Sequence, residues 1–431
     1  MKQPNQAKAR GFADFLPFFA FLCLIMTGLT SCKGIPSAKP YLTDDRDTGW
    51  LNDIAYLEKT LPKVHKNLYF TVSEGEFHER LEELKGKIPE YTDEQMTVAL
   101  SVIVAGMGDS HTGSNVGSKY QYPLELRWFA EGIYVMGTSR EYQELLDARI
   151  ISMNGKGMEK VTETLRPILA GANDSWFKTQ IVYYLPIPGV LRYFGVDQRE
   201  KSESNPEEID LKAELRDGSI REVRMRAISY EEFTPAQRQE GPDPLYLSRP
   251  DENYWYEYFE DEKIIYMNYS RCRENQEKSF KKFSKEFWDF TRNHDCEKLV
   301  VDVRKNRGGS SPILEPFIKT VKESSFNKEG KLYVIIGKDT FSSAVLNAVR
   351  FKKETHAVFV GEATGGEPNH FGEVKNFKLP NSGITVRYST KYFHWLDEDT
   401  DTLNPDAIVE DTFADYRNGA DPVFAWIIRQ E

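Results

Sequence analysis

Between residues 263 and 362 the chain alternates between two kinds of segment, and this alternation limits the fold more than any other feature. Near-continuous apolar runs, such as KLYVIIG (Lys331–Gly337), are separated by segments with helical periodicity, such as KSFKKFSKEFWDFTRN. Strands buried on both faces of a sheet have this apolar character, and helices that alternate with them cover the sheet. The sequence therefore predicts an α/β core.

Two adjacent serines lie where one of these strands turns into a helix. In YVIIGKDTFSSAVLNAVRF, Ser342 and Ser343 precede the helical residues that start at Ala344. Serine is common at helix N-caps, because its oxygen accepts hydrogen bonds from free N–H groups. The same turn also suits a nucleophile, since the free N–H groups of the helix can stabilise a developing oxyanion.

Two other loops contain groups that acyl transfer needs. His111 lies in the polar turn GDSHTG, and an imidazole can serve as a base and then as an acid near neutral pH. Gly308 and Gly309 follow a buried strand in VDVRKNRGGSS, where glycine permits a tight turn with exposed N–H groups. Each feature alone is also typical of an ordinary exposed loop or turn. Together they predict a site at the carboxyl ends of the strands.

The composition argues against several classes of partner. The 431 residues include 56 Lys and Arg against 67 Asp and Glu, a net charge of −11 that does not suit nucleic acid. The seven histidines are scattered, and the four cysteines have neither metal-ligand nor disulfide-framework spacing. We therefore expect no nucleic-acid partner, no metal and no cofactor.

The N-terminus has the order of a secretion signal. Basic residues precede an apolar stretch from Phe15 to Leu29, and LTSC follows with its cysteine at Cys32. This order resembles a bacterial lipoprotein signal, in which cleavage leaves Cys32 as the lipidated first residue. A plain membrane anchor and an ordinary signal peptide are the alternatives. The prediction is a lipid anchor in the bacterial cell envelope, on the periplasmic or surface side.

Changes in pattern divide the chain into segments. The predicted boundaries are 1–31 for the signal peptide, 32–48 for a tether, 49–118 for an N-terminal helical unit with His111, 119–229 for a middle domain, 230–252 for a linker and 253–431 for the α/β core. Apolar residues at three- and four-residue spacings indicate the helical unit. The middle domain has a strand–turn–helix pattern and a hairpin signal at RDGS.

The motifs, read in order, resemble one family. GDSHT, VDVRKNRGG, TFSSA, VGEATGG and NPD make nearly all of the mature chain similar to the tail-specific (C-terminal-processing) serine peptidases, and YQELLDARIISMNGKGMEKV is similar to their PDZ-like domain. The resemblance implies a ClpP/crotonase-like α/β catalytic core, a PDZ-like middle domain and a peptide or protein substrate. The DSHT loop most resembles the tricorn-core branch, to which the retinoid-binding protein of photoreceptors is also similar.

The resemblance also implies roles for individual residues. Ser342 matches the nucleophile and His111 matches the base, with Ser110 as the hydroxyl that supports it. Gly309 and Ser343 match the donors of the oxyanion N–H groups.

Two positions depart from the family pattern. Glu367 stands where the lysine of a serine–lysine dyad would be, and a carboxylate cannot replace that amine base, so a serine–histidine mechanism is implied instead. The carboxylate of the tetrad has three candidates, Glu398, Asp399 and Asp401, of which spacing favours Asp401. The acidic residue usual after the serine turn is missing, so a weak or inactive tetrad is an alternative.

Two functions compete. One is a cell-envelope serine peptidase that forms an acyl-enzyme, with activity expected to fall as the imidazole is protonated in its usual pH range. The other is a weak or inactive scaffold for peptides or hydrophobic ligands, in which WFKTQIVYYLPIPGVLRYF either lines a pocket or packs as a helix in the core. A crotonase-type acyl-CoA enzyme shares the oxyanion chemistry, but an exported lipoprotein would not meet CoA. The presence of both Ser342 and His111 favours the peptidase.

Overall fold

The predicted alternation of strand and helix produces a six-stranded sheet in the C-terminal half of the chain. In the computed structural model, the described residues are 35–198, 207–236 and 241–430. The α-helices are α1 (Arg46–Val64), α2 (Glu74–Lys87), α3 (Asp93–Ala105), α4 (Met158–Leu165), α5 (Asp174–Gln180), α6 (Pro188–Tyr193), α7 (Phe280–Asn293), α8 (Glu315–Glu323), α9 (Ser343–Glu354), α10 (Phe413–Asn418) and α11 (Pro422–Ile428).

The strands form four separate sheets. They are β1 (Gly113–Ser114), β2 (Tyr120–Gln121), β3 (Leu124–Phe129), β4 (Gly132–Thr138), β5 (Arg149–Met153), β6 (Lys156–Gly157), β7 (Glu208–Glu214), β8 (Ile220–Arg226), β9 (Ile228–Ser229), β10 (Tyr254–Phe259), β11 (Ile264–Tyr269), β12 (Lys298–Asp302), β13 (Leu332–Ile336), β14 (Val358–Gly361), β15 (His370–Lys378), β16 (Thr385–Phe393) and β17 (Ala407–Ile408).

The central sheet has the order β10-β11-β12-β13-β14-β17, and all neighbours except β10 and β11 are parallel. Side chains alternate between the two faces, so Val334 packs with helices α7 to α9 while Ile335 packs with α11. Both faces are therefore buried, which explains the continuous apolar runs in the sequence. The predicted α/β core is confirmed.

The N-terminal helices share a core with a hairpin from the other end of the chain. Apolar side chains of α1 to α3 pack against Phe377, Val386 and Tyr388 of β15 and β16, and β1 pairs with β16 through Gly113 and Arg387. Apart from the first three residues of α1, helices α1 to α3 lie within the segment 49–118 that was predicted to be helical, and they share their apolar core with β15 and β16. This shared core brings the GDSHTG turn to the C-terminal half of the molecule.

The described part of the predicted tether, from residue 35 onward, packs on the folded chain. The hydroxyl of Tyr56 donates to the carbonyl of Pro36 at 2.9 Å, and the side-chain amide of Asn381 donates to the carbonyl of Tyr41 at 3.0 Å. The Tyr41 ring also packs edge-on against Tyr56. Within the segment predicted to be a tether, Pro36 and Tyr41 therefore have partners on α1 and on the β15–β16 hairpin. Residues 1–34, which include Cys32 and the predicted signal peptide, lie outside the described residues.

The middle segment forms the predicted PDZ-like domain. Its antiparallel sheet has the order β3-β4-β5-β7-β8, and β6 and α4 follow β5 as the strand–turn–helix pattern indicates. The RDGS sequence closes the β7–β8 hairpin, with Gly218 in the left-handed region at a φ of 81°. Edge strand β3 faces α5 and the chain that follows it: Trp128 contacts Phe177, and the Tyr122 N–H donates to the carbonyl of Pro186.

The predicted linker is partly built into the structure. Residues Leu245–Leu247 form a short 3-10 turn, in which Tyr246 is buried. Its hydroxyl donates to Asp411 of the core at 2.8 Å and accepts from Arg127 of the PDZ-like domain at 3.1 Å. This part of residues 230–252 is therefore a fixed junction. None of the helices in the described part of the chain is long and apolar enough to cross a membrane.

Candidate active site

The glycine turn after β12 and the serine turn after β13 lie against each other, as the parallel register requires. The Phe341 N–H donates to the carbonyl of Asn306 at 3.0 Å, and the Ser343 hydroxyl donates to the carbonyl of Gly309 at 2.8 Å. A Cβ atom added to Gly308 would lie 2.8 Å from the Cβ of Ser342. Gly308 itself has a φ of 101°, which favours glycine. The sequence prediction that these two loops meet is confirmed.

Ser342 does not cap the helix that follows it. Its φ of 55° and ψ of −128° lie in a region that non-glycine residues rarely adopt, and its side chain makes no capping hydrogen bond. Such backbone strain costs about 1–3 kcal/mol and clusters at functional sites. A strained serine on a sharp strand-to-helix turn is also the geometry by which hydrolases expose a nucleophilic hydroxyl. Of the two interpretations of the serine pair, the structure favours the nucleophile.

Two backbone N–H groups beside Ser342 are available for an oxyanion. Within the part of the chain that the structure describes, the N–H groups of Gly309 and Ser343 donate to no protein acceptor, whereas the neighbouring N–H of Gly308 donates to Asn306 Oδ1 at 2.9 Å. Ser343 begins α9, so its N–H also lies at the positive end of a helix dipole. The two predicted oxyanion donors are thus on adjacent turns with unused N–H groups.

His111 is close to the serine turn, but no hydrogen bond joins it to Ser342. Its ring stacks on Phe341, the residue before the serine, with ring centroids 4.4 Å apart and an interplanar angle of 26°. His370 lies nearly parallel to the same imidazole, with ring centroids 5.1 Å apart and an interplanar angle of 8°. Neither ring nitrogen of His111 has a hydrogen-bond partner among the described residues. The structure therefore brings the predicted base beside the nucleophile's turn with both nitrogens unoccupied.

Burial strongly disfavours a charge on His111. Its side chain is 3% exposed, and burial lowers its pKa from 6.5 to about 3, with His370 and Arg387 acting in the same direction and Asp109 opposing them. A base with such a low pKa is unprotonated throughout the neutral range. Burial therefore predicts an acidic limit of activity at a lower pH than the usual imidazole range, which the sequence alone indicated.

The supporting hydroxyl and carboxylate expected of the tetrad do not reach the imidazole. Because the nitrogens of His111 are unpaired, neither Ser110 nor Asp401 hydrogen-bonds to it. Asp401 is exposed, and its backbone carbonyl accepts from the side-chain amide of Asn173 at 2.6 Å. The physical reason is that His111 is held between two aromatic rings, away from the exposed strand-free segment that contains Asp401. The tetrad predicted from the resemblance is thus not assembled in this structure.

Glu367 lies in the turn between β14 and β15, next to the serine turn. A Cβ atom added to Gly366, its neighbour, would lie 3.1 Å from the Ser342 nitrogen. Burial, helped by Asp109, Asp401 and Asp399, raises the pKa of the Glu367 carboxyl to about 8. The side chain that replaces the dyad lysine is therefore uncharged at neutral pH, which agrees with a mechanism that has no lysine.

Three aromatic contacts of the site were not predicted from the sequence. Trp176 of α5 stacks on Phe341 at 3.9 Å and 8°, so that Trp176, Phe341, His111 and His370 form one continuous stack. The apolar segment that begins at Trp176 packs in the interior, with Phe177, Ile181, Leu185 and Leu191 buried among others. The segment is not one helix but two short helices, α5 and α6, joined through a 3-10 turn, and its burial favours packing in the core over a pocket lining. The signal that could have indicated Trp176 is its position directly after the Asn-Asp-Ser start of a helix.

Two solved structures of mature CPAF are similar in fold to this chain. No protein-family model and no curated protein matches the chain. Mature CPAF superposes with a TM-score of 0.60 at 14% identity, over 88% of this chain and 96% of CPAF. Mature CPAF complexed with lactacystin gives 0.55 at 13% identity, over 88% and 97% of the two chains. The tricorn protease gives 0.43 at 16% identity, over 90% of this chain and 37% of tricorn.

The chain therefore has the fold of CPAF. The fold predicted from the tail-specific peptidase motifs, an α/β catalytic core with a PDZ-like domain, is confirmed.

Proposed function

We propose that this protein is a serine-type peptidase that cleaves peptides or proteins through an acyl-enzyme on Ser342. The observation that carries the proposal is the strained backbone of Ser342, whose side chain does not cap the helix. The N–H groups of Gly309 and Ser343, which donate to no protein acceptor among the described residues, lie beside it. Strained backbone conformations of non-glycine residues cluster at active sites and ligand-binding sites. The strain at Ser342 is therefore explained by the role of a nucleophile beside an oxyanion site.

The proposed chemistry follows from the position of each group. The Ser342 hydroxyl attacks the scissile carbonyl while His111 takes its proton, and the N–H groups of Gly309 and Ser343 donate to the oxyanion. The C–N bond then breaks as the imidazolium returns the proton to the leaving amine. Water, activated by the same imidazole, hydrolyses the ester. This mechanism requires a hydrogen bond from the Ser342 hydroxyl to His111 to form when substrate binds. Catalytic hydrogen bonds commonly become short and well aligned only in the substrate complex.

A fluorophosphonate probe tests this proposal, because it reacts with activated serines alone. We expect the wild type to be labelled, Ser342→Ala to be unlabelled and Ser343→Ala to remain labelled, with the adduct located on Ser342 by mass spectrometry. Ser343→Ala controls for the loss of a neighbouring hydroxyl, since it keeps the backbone N–H that the proposal uses and removes only the hydrogen bond from the Ser343 hydroxyl to the carbonyl of Gly309. An unlabelled wild type, or an adduct on another residue, would contradict the proposal.

A second candidate function is a weak or inactive scaffold that binds peptides. The unpaired nitrogens of His111 and its low pKa favour it, since a base that holds its proton poorly gives little general-base catalysis. The labelling experiment separates the two functions, because a binder without an activated serine does not react. A binder would instead retain peptide affinity in the Ser342→Ala variant without any turnover in the wild type.

We further propose that the protein is anchored in the bacterial cell envelope by a lipid on Cys32. The support is the order of basic residues, apolar stretch and LTSC at the N-terminus. Metabolic labelling of the producing cells with an alkyne fatty acid tests this. The variant is Cys32→Ala, and the control is Cys23→Ala, which removes a cysteine from the apolar stretch. Loss of label in Cys32→Ala alone is expected. Equal labelling of both variants would overturn the anchor.

A further inference from the structure

Asp109 is a buried carboxylate that receives four hydrogen bonds, two residues before the proposed base. Its Oδ2 accepts from Thr112 Oγ1 at 2.5 Å, from Ser389 Oγ at 2.6 Å and from His65 Nε2 at 3.1 Å. Its Oδ1 accepts from the backbone N–H of His111 at 2.9 Å. The donors come from three separate elements of the fold, so the carboxylate is fixed in position from several sides.

The hydrogen bonds define the charge of this cluster. His65 Nδ1 accepts from the backbone N–H of Asn67 at 3.1 Å, so Nδ1 has no proton and Nε2–H is the donor to Asp109. Asp109 is therefore surrounded by hydrogen-bond donors. Such an environment favours the ionised carboxylate, and the pKa of Asp109 is lowered although the side chain is buried. The cluster thus holds one negative charge beside His111.

That charge faces the imidazole. Asp109 Oδ1, the oxygen that holds the backbone of His111, lies 3.9 Å from His111 Nδ1. The distance is too long for a hydrogen bond, so in this structure Asp109 acts on His111 through its charge, and a hydrogen bond requires the imidazole to move toward the fixed carboxylate. Asp401 forms no ion pair with the ring among the described residues, and neither Ser110 nor Asp401 hydrogen-bonds to it. Among the described carboxylates, Asp109 is the one paired with His111 within 4 Å.

The surroundings of His111 make such a partner necessary. The ring becomes cationic when it takes the serine proton, yet His370 and Arg387 both act against a positive charge on it. His370 uses Nδ1–H to donate to the carbonyl of Glu367 at 2.7 Å, so it cannot accept a proton from His111 at that atom. Asp109 is the group that opposes these effects. Without it, the imidazolium would be buried with no anion beside it.

We propose that Asp109, and not Asp401, is the carboxylate that positions His111 and stabilises its cationic form. It accepts from Nδ1–H, which fixes the tautomer and leaves Nε2 free for the Ser342 proton. His65, Thr112 and Ser389 hold Asp109 in place. The catalytic part of this inference rests on the proposed peptidase function, but the tautomer does not.

The first measurement therefore needs no activity. Nitrogen-15 chemical shifts of the histidine side chains in wild-type protein, assigned with His111→Gln, report which nitrogen of His111 is protonated. We expect Nδ1–H in the wild type and a change of tautomer population in Asp109→Asn, because the amide can also donate. A wild-type ring with its proton on Nε2 would overturn the proposal, whether or not the Asp109→Asn variant folds.

The second measurement is the rate of fluorophosphonate labelling at Ser342, followed over pH. Asp109→Asn should slow labelling by about 10²–10⁴-fold, as loss of a tautomer-fixing carboxylate does, while Asp401→Asn changes it by less than about threefold. Asp109→Glu, which keeps the charge, should recover part of the rate. A purely structural role would affect the two Asp109 variants equally and leave the tautomer unchanged, and the proposal would then be wrong.

Failure of this inference and failure of the peptidase proposal look different. If the wild type is unlabelled but His111 has Nδ1–H, the peptidase proposal fails and the positioning by Asp109 stands. If the wild type is labelled and Asp401→Asn is the damaging change, the peptidase proposal stands and the role of Asp109 is overturned.

Discussion

Substitution of Glu367 by glutamine should make the protein more stable at pH 8 than the wild type. The Glu367 carboxyl has a pKa of about 8 in the folded chain against 4.5 ordinarily. The folded state therefore keeps a proton that the unfolded state releases between pH 4.5 and pH 8. Stability contributed by that proton is fully present below pH 4.5 and is lost as the pH rises through 8. Glutamine is similar in shape to the protonated acid and has no proton to lose.

The size of the effect follows from the pKa difference. A difference of this size corresponds to about 5 kcal/mol at full burial, at 1.36 kcal/mol for each pH unit. The side chain is partly exposed, so solvent screening reduces the expected gain for Glu367→Gln to about 2–3 kcal/mol at pH 8. At pH 4.5 the wild type and the variant should be equally stable.

Urea denaturation of the wild type and of Glu367→Gln at both pH values measures this directly. Glu398→Gln is the control, since Glu398 is an exposed carboxyl on a nearby segment and should change stability little at either pH. Equal stability of Glu367→Gln and the wild type at pH 8 would refute the reasoning. It would mean that Glu367 is ionised in the folded protein.

Three further predictions concern the site. Gly308→Ala should remove activity and lower the melting temperature, because its Cβ would lie 2.8 Å from the Cβ of Ser342. Gly383→Ala is the control: Gly383 also has a positive φ, but nothing lies within 4 Å of the added Cβ, so this variant should lose only about 1 kcal/mol of stability in thermal denaturation. Equal effects of the two variants would contradict the close approach of Gly308 to Ser342. The kcat/KM of the free enzyme should stay constant from pH 7 down to about 5, since the pKa of His111 is lowered to about 3, and a fall near pH 6.5 would show a solvated imidazole. Trp176→Ala should lower the stability by roughly 3–5 kcal/mol, because it removes a buried side chain that stacks on Phe341. It should also lower kcat more than Trp176→Phe does. Unchanged kcat in both variants would mean that the aromatic stack does not position the base.

The α/β core and the meeting of the two loops could be predicted because they depend on local patterns. Continuous apolar strands specify a sheet buried on both faces, and strand order then places the turns after Asp302 and Ile336 at one edge. The same holds for the RDGS hairpin, whose turn chemistry is set by a few residues. His111 could be singled out from its polar turn as a candidate base, but only the resemblance assigned it to Ser342.

The rest depends on contacts between distant residues. His65, Asp109 and Ser389 meet only because the N-terminal helices share a core with the β15–β16 hairpin, and the sequence gives no sign that these segments pack together. The choice of Asp401 followed from spacing along the chain, and spacing does not report that the imidazole is enclosed by Phe341 and His370. The contact between Tyr41 and Asn381 could not be predicted for a similar reason, since the two residues lie far apart in the sequence.

Hydrolysis of a mixed peptide library, followed by mass spectrometry for wild type, Ser342→Ala, His111→Ala and the double variant, tests the central claim most directly. If the two residues act as a unit, each single variant loses several orders of magnitude in turnover and the double variant is no slower than the slower single one. Full activity of His111→Ala, or losses that multiply in the double variant, would contradict a mechanism in which His111 activates Ser342.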